Sequence, residues 1–546
     1  MSLCIILSLT IAVLSVALYP LLNSTQAPSS SSSSSSSVVA DLMVTNGTIY
    51  TSDASLPFAD SMALSSGRLL RLGNFSSLQD LAGYGTEVID LEGKVVVPGF
   101  IDSHVHLIFG GLQIVRVELR GVNKKDEFVR KVKGAVASMY WKCLTTLTCI
   151  TGPATSFPPG EPFNSSDKSM HNSLVVWLSR MDGHMGLANS LALKIAEISN
   201  YTEDPNGGAI MRTTDGEPTG LLIDSAMKLI LSCVPEVSVD ERREALVRAS
   251  NLALMRGVTT VVDFGTYFAG ASVELPWEDF SGLGFQRVVA KVLKSGCDRH
   301  NGGGGAVAVV ECKGRSVTVA DLIRESGRKL SQWLYLGGVK AFADGSLGSN
   351  SALFYEPYVD DPHNSGLQVA DFESLLNMTV ASDRSGLQVA IHAIGDRAND
   401  LILDMYKSVV STNGMRDRRF RIEHAQHLAD GTVARFGQEG IVASVQPDHL
   451  LDDADSAIRK LGVERAHKGS YLFQSLLASK AQLVFGSDWP VRNFGLFLDY
   501  IDPVKSVKTA MKRIPPGWEN AWISSECINL SDALNAYASI FQLLYD

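Results

Sequence analysis

Five short segments of the sequence each end an apolar, β-branched stretch, and each offers a side chain that can bind a metal ion. These segments are residues 98–106, 339–346, 390–396, 421–425 and 485–490. Apolar stretches that alternate with helical patterns are typical of a parallel α/β barrel. Active sites of such barrels lie at the carboxyl ends of the strands, so we expect the five segments to meet at one rim.

The apolar runs predict eight barrel strands. They are placed at residues 95–104, 259–264, 287–293, 334–342, 388–392, 420–424, 441–446 and 483–488. The pattern also predicts a helix from Asp240 to Met255, which Gly257 ends. The long separation between the first two strands predicts an insertion at about residues 110–235, and we expect it to form a lid subdomain.

Residues 41–94 consist of short apolar runs separated by turns, among them a hairpin predicted at Asn46-Gly47. These runs predict part of a small β-sandwich. The expected fold class is therefore α/β, with a metal-dependent (β/α)8 TIM-like barrel over residues 95–535, a flanking small β-sandwich and the inserted lid. Residues 536–546 form an atypical C-terminal end.

Composition limits the classes of function. The 546 residues are 45% hydrophobic with a net charge of -10, and they contain no basic stripe, which argues against nucleic-acid binding. Residues 1–24 are largely apolar, and a signal peptide and an uncleaved membrane anchor both stay open. A serine-rich linker follows at residues 25–40. With several Asn-X-Ser/Thr sequons, this start predicts an endomembrane location, in the endoplasmic reticulum, either membrane-anchored or lumenal.

The histidines of the segments suit metal binding. His104 and His106 are two positions apart, so they share one face of a strand and can hold one zinc-like ion. His392 and His424 end successive strands and could share a second ion, although each could instead be a core histidine bonded to the backbone. Asp488 ends the last strand, where it can hold an ion and accept a proton from a bridging water.

Lys340 can bind a metal only after modification, because an ammonium group repels a cation. Reaction of its amine with carbon dioxide would give a carbamate, which can bridge two ions. A salt bridge with Asp344 is an alternative of at least equal weight. Zinc, manganese and iron, and one ion or two, all stay open because histidine and carboxylate ligands suit several metals. His427 and His449 are substrate-facing or supporting groups, or surface residues.

Together with residues 180–190 and 207–222, the five segments resemble the amidohydrolase superfamily, specifically amidohydrolase family 3, the YtcJ-like group. The resemblance implies a metal-dependent barrel that hydrolyses non-peptide carbon–nitrogen bonds in small amides or N-substituted formamides. It implies a metal-activated hydroxide as nucleophile, with Asp488 as general base and acid. The ligands it implies are His104, His106, His392, His424 and Asp488, with carbamylated Lys340 bridging two zinc-like ions. It places Asp182 and His184 near the substrate, and His449 is assigned with them.

Two departures from the family pattern support a second hypothesis. Residues 143–172 do not resemble the family, and we expect the β-sandwich to be incomplete at its C-terminal end. The alternative is therefore a catalytically lapsed, amidohydrolase-like regulatory or scaffold protein at an endomembrane. Plant members of the family share the hydrophobic N-terminal segment, and through them the resemblance implies a link to phytochrome A (far-red) signalling. The oligomeric state stays open.

Overall fold

The protein is described here by a computed structural model that divides into two compact units. The described residues are 39–115, 175–180, 183–265, 334–491 and 501–538, with short strands at 118–119, 147–151, 289–295, 309–312 and 315–318 and single positions between 127 and 134. One unit comprises the described chain up to Phe100 with Gly257–Thr259, and the other comprises Ile101–Arg256 and the chain from Thr260 onward. Within the described residues, no helix is both long and apolar enough to cross a membrane.

The first unit is a small β-sandwich. Its strands are β1 (Leu42–Thr45), β2 (Thr48–Tyr50), β3 (Phe58–Ala59), β4 (Ser61–Ser65), β5 (Arg68–Gly73), β6 (Glu87–Asp90) and β7 (Val95–Val96). They form a four-stranded sheet in the order β5-β4-β1-β6 and a three-stranded sheet in the order β3-β2-β7. Val44 and Met62 from one sheet and Ile49 and Ala59 from the other are buried in one hydrophobic cluster, so the core lies between the two sheets.

The hairpin predicted at Asn46-Gly47 is wrong. Strands β1 and β2 flank this turn, but they belong to different sheets. Asn46 does adopt a positive φ of 57°, yet its side-chain amide donates to Asp90 at 2.8 Å and the N–H of Gly47 donates to Asp60 at 3.0 Å. The turn groups are bonded to distant segments, and these bonds send the two strands into opposite layers.

Strand β8 (Phe100–Val105) belongs to the second unit from Ile101 onward, and helix α1 (Leu107–Gln113) follows it. A mixed sheet follows, in the order β13-β14-β12-β11-β10-β9. Its strands are β9 (Glu118–Leu119), β10 (Leu147–Thr151), β11 (Val176–Arg180), β12 (Met185–Ala188), β13 (Gly208–Arg212) and β14 (Pro218–Asp224). Helices α2 (Ser190–Ile195) and α3 (Met227–Leu231) bury Ala192 and Met227 in a core with Trp177 and Leu222, so this inserted sheet has its own hydrophobic cluster.

The remaining elements complete an eight-stranded parallel barrel. They are α4 (Val239–Met255), β15 (Val258–Asp263), β16 (Val289–Ser295), the pair β17 (Val309–Cys312) and β18 (Arg315–Thr318), β19 (Leu334–Phe342), α5 (Phe372–Arg384), β20 (Gln388–Ala393), α6 (Asp396–Asn413), β21 (Arg421–His424), α7 (Thr432–Glu439), β22 (Val442–Val445), α8 (His449–Leu461), α9 (Val463–Gly469), α10 (Phe473–Ala478), β23 (Gln482–Phe485), α11 (Pro503–Lys512) and α12 (Leu530–Ala538). The strand order is β8-β15-β16-β19-β20-β21-β22-β23. A parallel bridge between Val105 and Trp489 joins the last strand's continuation to the first, which closes the barrel.

Seven of the eight predicted barrel strands are confirmed with small shifts at their ends, and the predicted helix at 240–255 is α4. The first predicted strand, 95–104, is wrong at its start. Val95 and Val96 form β7 and pair with β2 in the sandwich, and the barrel strand begins only at Phe100. Pro98 lies between them and has no N–H for a strand ladder, which explains the break.

Helix α1 packs against α4 through Gly111. A Cβ at Gly111 would lie 1.9 Å from the carbonyl oxygen of Ala245, which is backbone and cannot move aside. Gly111→Ala should therefore lower the free energy of unfolding by about 1–3 kcal/mol, although helix propensity alone predicts a gain of about 1 kcal/mol. Denaturant unfolding measures the difference. Gly85→Ala is the control, because nothing lies within 4 Å of a Cβ there, and equal stability of both variants would contradict the packing.

Candidate metal centre

The carboxyl ends of the barrel strands bring the predicted ligands together. All six, with two of the predicted substrate-binding residues, line one cavity of about 130 Å³; they are His104, His106, Lys340, His392, His424, Asp488, His184 and His449. The third predicted substrate-binding residue, Asp182, lies outside the described residues. The cavity walls also include the apolar side chains of Leu347 and Ile394.

The carboxylate of Asp488 lies between two imidazoles. Its Oδ1 atom is 3.3 Å from Nε2 of His104 and 3.3 Å from Nε2 of His106. Nε2 of His104 and Oδ1 of Asp488 are both buried, and neither hydrogen-bonds to a described residue. Tetrahedral ligation at about 2.0–2.1 Å separates neighbouring donor atoms by roughly 3.3 Å. The two atoms lack hydrogen bonds to described residues, and their separation matches that of neighbouring metal ligands. Both observations fit the binding of a metal ion.

His104, His424 and Asp488 form one compact group. One ligand atom from each lies within 4.8 Å of the other two, and all three residues are buried. The Nδ1–H of His424 donates to Oε1 of Gln446 at 2.7 Å, which leaves Nε2 as the ligating nitrogen. This buried group could hold a metal ion.

His392 is adjacent to this group, with its ring centre 4.5 Å from that of His424. Its Nε2–H donates to the carbonyl oxygen of Gly345 at 3.1 Å. Nδ1 is consequently the nitrogen of His392 that can bind a metal, whereas Nε2 serves in His424.

A buried charge pair orients His104. The Nδ1–H of His104 donates to Oε2 of Glu423 at 2.8 Å, and Nε of Arg421 donates to Oε1 of the same carboxylate at 2.7 Å. Arg421 also donates to the carbonyl oxygen of Ser103 at 2.9 Å and to Oγ of Ser444 at 2.8 Å. The carboxylate fixes the tautomer of His104 with its lone pair on Nε2, toward Asp488.

Lys340 is enclosed by aromatic side chains. Its Nζ atom lies 4.4 Å from the ring centre of Phe264 and 4.7 Å from that of Phe342. In the described part of the chain it forms no ion pair with Asp344, whose carboxylate instead accepts backbone N–H groups of Leu353, Ile394 and Gly395. The salt-bridge alternative is therefore wrong. Burial lowers the pKa of Lys340 to about 8, despite the opposing effect of nearby carboxylates.

Burial also determines the charge state of the histidines. It lowers the pKa of His104, His392 and His424 well below the ordinary value of imidazole, so these rings are neutral at pH 7 and have a lone pair for a metal. Burial raises the pKa of Asp488, but the neighbouring His106 lowers it, and the resulting pKa lies below the ordinary value of a carboxyl group. Asp488 is therefore ionised at neutral pH.

Two of these residues have strained backbones. His424 has a φ of 77° and Asp488 a φ of 54°, which are rare for residues with a side chain. Such conformations persist where the surrounding structure enforces them, and they concentrate at functional sites.

The other predicted histidines lie in different surroundings. His449 lines the cavity, and its Nε2–H donates to the carbonyl oxygen of Val491 at 3.0 Å while remaining 3.8 Å from Oδ2 of Asp488. His184 comes from the inserted sheet, and its ring centre is 5.0 Å from that of His392. His427 is buried away from the cavity lining and bonds to Ser470 at 2.9 Å. Burial lowers its pKa to about 3, so it is a neutral core histidine.

Sequence reasoning missed the residues that support the ligands. Arg421 and Glu423 alternate with apolar positions in β21, and a charged pair inside a buried strand was the available signal. Gln446 directly follows β22, at the rim where polar side chains are expected.

Comparison with known proteins agrees with this geometry. The sequence model of the amidohydrolase family, Amidohydro_3, matches residues 87–540. The chain belongs to the amidohydrolase family. More narrowly, this amidohydrolase is a YtcJ-like member of family 3, because it is 30% identical to the "Putative amidohydrolase YtcJ" of Bacillus subtilis, over 90% of this chain and 88% of that protein.

Two further similarities extend this assignment. The chain is 56% identical to the protein LONG AFTER FAR-RED 3 of Arabidopsis thaliana, over 96% of this chain and 87% of that protein. It also resembles the crystal structure of an uncharacterized metal-dependent hydrolase from Pyrococcus horikoshii, with 26% identity, a TM-score of 0.66 and 91% of each chain covered. The fold is that of metal-dependent hydrolases with a TIM barrel and a β-sandwich, and membership of the family suggests hydrolysis of a carbon–nitrogen bond.

The support of His104 by Glu423 can be tested directly. Glu423→Gln keeps the shape of the side chain but removes the charge that polarises the imidazole, so the affinity for zinc should fall about 10- to 100-fold. Competition with a chromophoric chelator measures this affinity without any assay of activity. Glu439→Gln is the control, since Glu439 bonds to Arg435 on α7 away from the cavity. Unchanged zinc affinity in a folded Glu423→Gln variant would show that Glu423 does not support His104 as a ligand.

Proposed function

We propose that this amidohydrolase is a metal-dependent hydrolase of a non-peptide, amide-type carbon–nitrogen bond in a small molecule. The observation that carries the proposal is the buried pair of Nε2 of His104 and Oδ1 of Asp488, 3.3 Å apart and without hydrogen bonds to described residues. Three further predicted ligands with imidazole side chains, His106, His392 and His424, line the same cavity, so the donors are suited to zinc or a similar divalent ion. N-substituted formamides and short N-acyl amines are the substrates to test first.

The protein groups have separate tasks in this proposal. A bound metal would supply Lewis acidity and lower the pKa of a water molecule. His104, His106, His392, His424 and Asp488 would hold the metal, and the ionised carboxylate of Asp488 would also accept a proton and later deliver it to the departing nitrogen. His184 and His449 line the cavity and would contact the substrate, together with Asp182.

Replacement of one ligand tests this function. His104→Asn should reduce kcat/KM by about 1,000-fold, which corresponds to about 4 kcal/mol of transition-state stabilisation. It should also lower the metal content, measured by mass spectrometry of the purified protein. His363→Asn changes an exposed histidine and serves as the control. A folded wild-type protein that retains no divalent metal after incubation with zinc would sink the proposal.

Lys340 would become a carbamate that bridges two ions. The nitrogen of the neutral amine attacks the carbon of carbon dioxide and then loses a proton, so modification needs the uncharged form. Two observations support this step: Lys340 lies in the cavity with the imidazoles, and burial lowers its pKa to about 8.

The carbamate makes metal loading depend on pH and on carbon dioxide. The neutral fraction of the Lys340 amine rises with pH. Because burial lowers the pKa of Lys340 to about 8, this fraction is about 1% at pH 6 and about half at pH 8. At a fixed concentration of dissolved carbon dioxide, apo-protein should therefore gain its second zinc ion faster at pH 8 than at pH 6. Lys340→Met should abolish the dependence on carbon dioxide. Equal loading with and without carbon dioxide at pH 8 would show that no carbamate forms.

A regulatory role is the second candidate, and the 56% identity to a protein named for far-red light supports it. Under this alternative the chain acts in phytochrome A signalling as a scaffold, without hydrolysis. Complementation of a plant that lacks the relative separates the two: rescue by His104→Asn supports the scaffold, and failure of a stably expressed variant supports the enzyme.

We also propose the endoplasmic reticulum as the location of the protein. The apolar residues 1–24 and the sequons support it, and Asn200 lies in an exposed sequon. Removal of N-glycans by an endoglycosidase tests it, because a chain that never enters the lumen would show no shift in mass.

A further inference from the structure

We propose that Asp224, a residue of the inserted sheet, is a positioning residue of the active site that orients His184 toward the bound substrate. This inference rests on the proposed function, since it assigns the substrate side of the same cavity. The geometry points to Asp224 because its Oδ1 atom lies 2.5 Å from Nδ1 of His184.

Two bonds couple the residues at the end of one strand pair. Strands β12 and β14 are antiparallel with Met185 opposite Ile223, so His184 and Asp224 extend this register by one position. The backbone N–H of Asp224 donates to the carbonyl oxygen of His184 at 3.0 Å, in addition to the contact between the side chains. The ring and the carboxylate are thus fixed relative to one another by the sheet itself.

The surroundings of Asp224 restrict its carboxylate further. Its side chain is 3% exposed, and its φ of 46° is a conformation that residues with a side chain seldom adopt. A Cβ at Gly345, just beyond β19, would lie 2.6 Å from Oδ2 of Asp224. The carboxylate therefore packs against the barrel segment that carries the carbonyl group bonded to His392.

This arrangement sets the position of the His184 ring in the cavity. The ring centre is 5.0 Å from that of His392 and 6.3 Å from that of Phe342, and His184 lines the cavity with both. A carboxylate that accepts Nδ1–H fixes the ring orientation and the tautomer of a histidine. Asp224 would act on the substrate only through His184, which is a testable form of coupling.

The experiment is a double-mutant cycle on the metal-loaded protein. We expect Asp224→Asn to raise KM for a small amide about 10-fold with kcat within about 2-fold, because uniform substrate binding is lost. His184→Ala should raise KM at least as much, and the double variant should be no worse than His184→Ala alone. Zinc content and melting temperature should match the wild type, whereas a purely structural role would change them together with kcat. Asp215→Asn, exposed in the turn between β13 and β14, is the control.

Additive effects of the two substitutions, or an unchanged KM in Asp224→Asn, would overturn the inference. A wild-type protein that binds zinc but hydrolyses no amide would refute the proposed function instead. In that case crystal structures of the wild type and of Asp224→Asn would still test whether Asp224 orients the ring of His184. A ring of His184 that is reoriented in Asp224→Asn supports the positioning role, and a ring that keeps its place in the variant contradicts it.

Discussion

The candidate site depends on the contact that closes the barrel. The backbone N–H of Asp488 donates to the carbonyl oxygen of His104 at 2.7 Å, so the ends of the first and last strands are joined at His104 and Asp488, each of which has a buried side-chain atom without a hydrogen bond to a described residue. Gly486 permits this approach, because a Cβ there would lie 2.6 Å from the backbone nitrogen of His104. Asp102 strengthens the joint by accepting from the N–H groups of Ser487 at 2.8 Å and His104 at 3.2 Å.

Closure of the barrel also excludes water from the rim. Imidazoles enclosed there lose hydration, so burial favours their neutral forms, which are also the forms that bind a metal. Two charged side chains near the rim are each compensated by a partner of opposite charge. Glu423 and Arg421 neutralise each other inside β21, and Arg421 reaches Ser103 and Ser444 on neighbouring segments. Removing one member of such a pair leaves an unpaired buried charge, so this pair supports both the barrel and the orientation of His104.

The sequence predicted the barrel and its rim because both follow from local patterns. Each strand is an apolar run of suitable length, and β19 was placed with the bounds that the structure has. Each candidate ligand lies within such a run or shortly after it. The prediction failed where partners come from distant parts of the chain. The turn at Asn46 has the local form of a hairpin, but bonds to Asp60 and Asp90 decide which sheets its flanking strands join. The supporting roles of Glu423 and Gln446 likewise depend on the rings that they face across strands.

The structural elements that supply the side chains indicate separate tasks for the barrel and the inserted sheet. Every candidate metal ligand lies in the last few residues of a barrel strand or shortly after it. His184 instead directly precedes β12 of the inserted sheet, which has a hydrophobic cluster of its own around Trp177 and Leu222. A separate core allows the insert to change its loops without disturbing the strands that hold the ligands. Selection among substrates would then depend on the insert, and the reaction type on the barrel. This division accounts for a chain in which the ligand segments follow the family pattern while residues 143–172 depart from it.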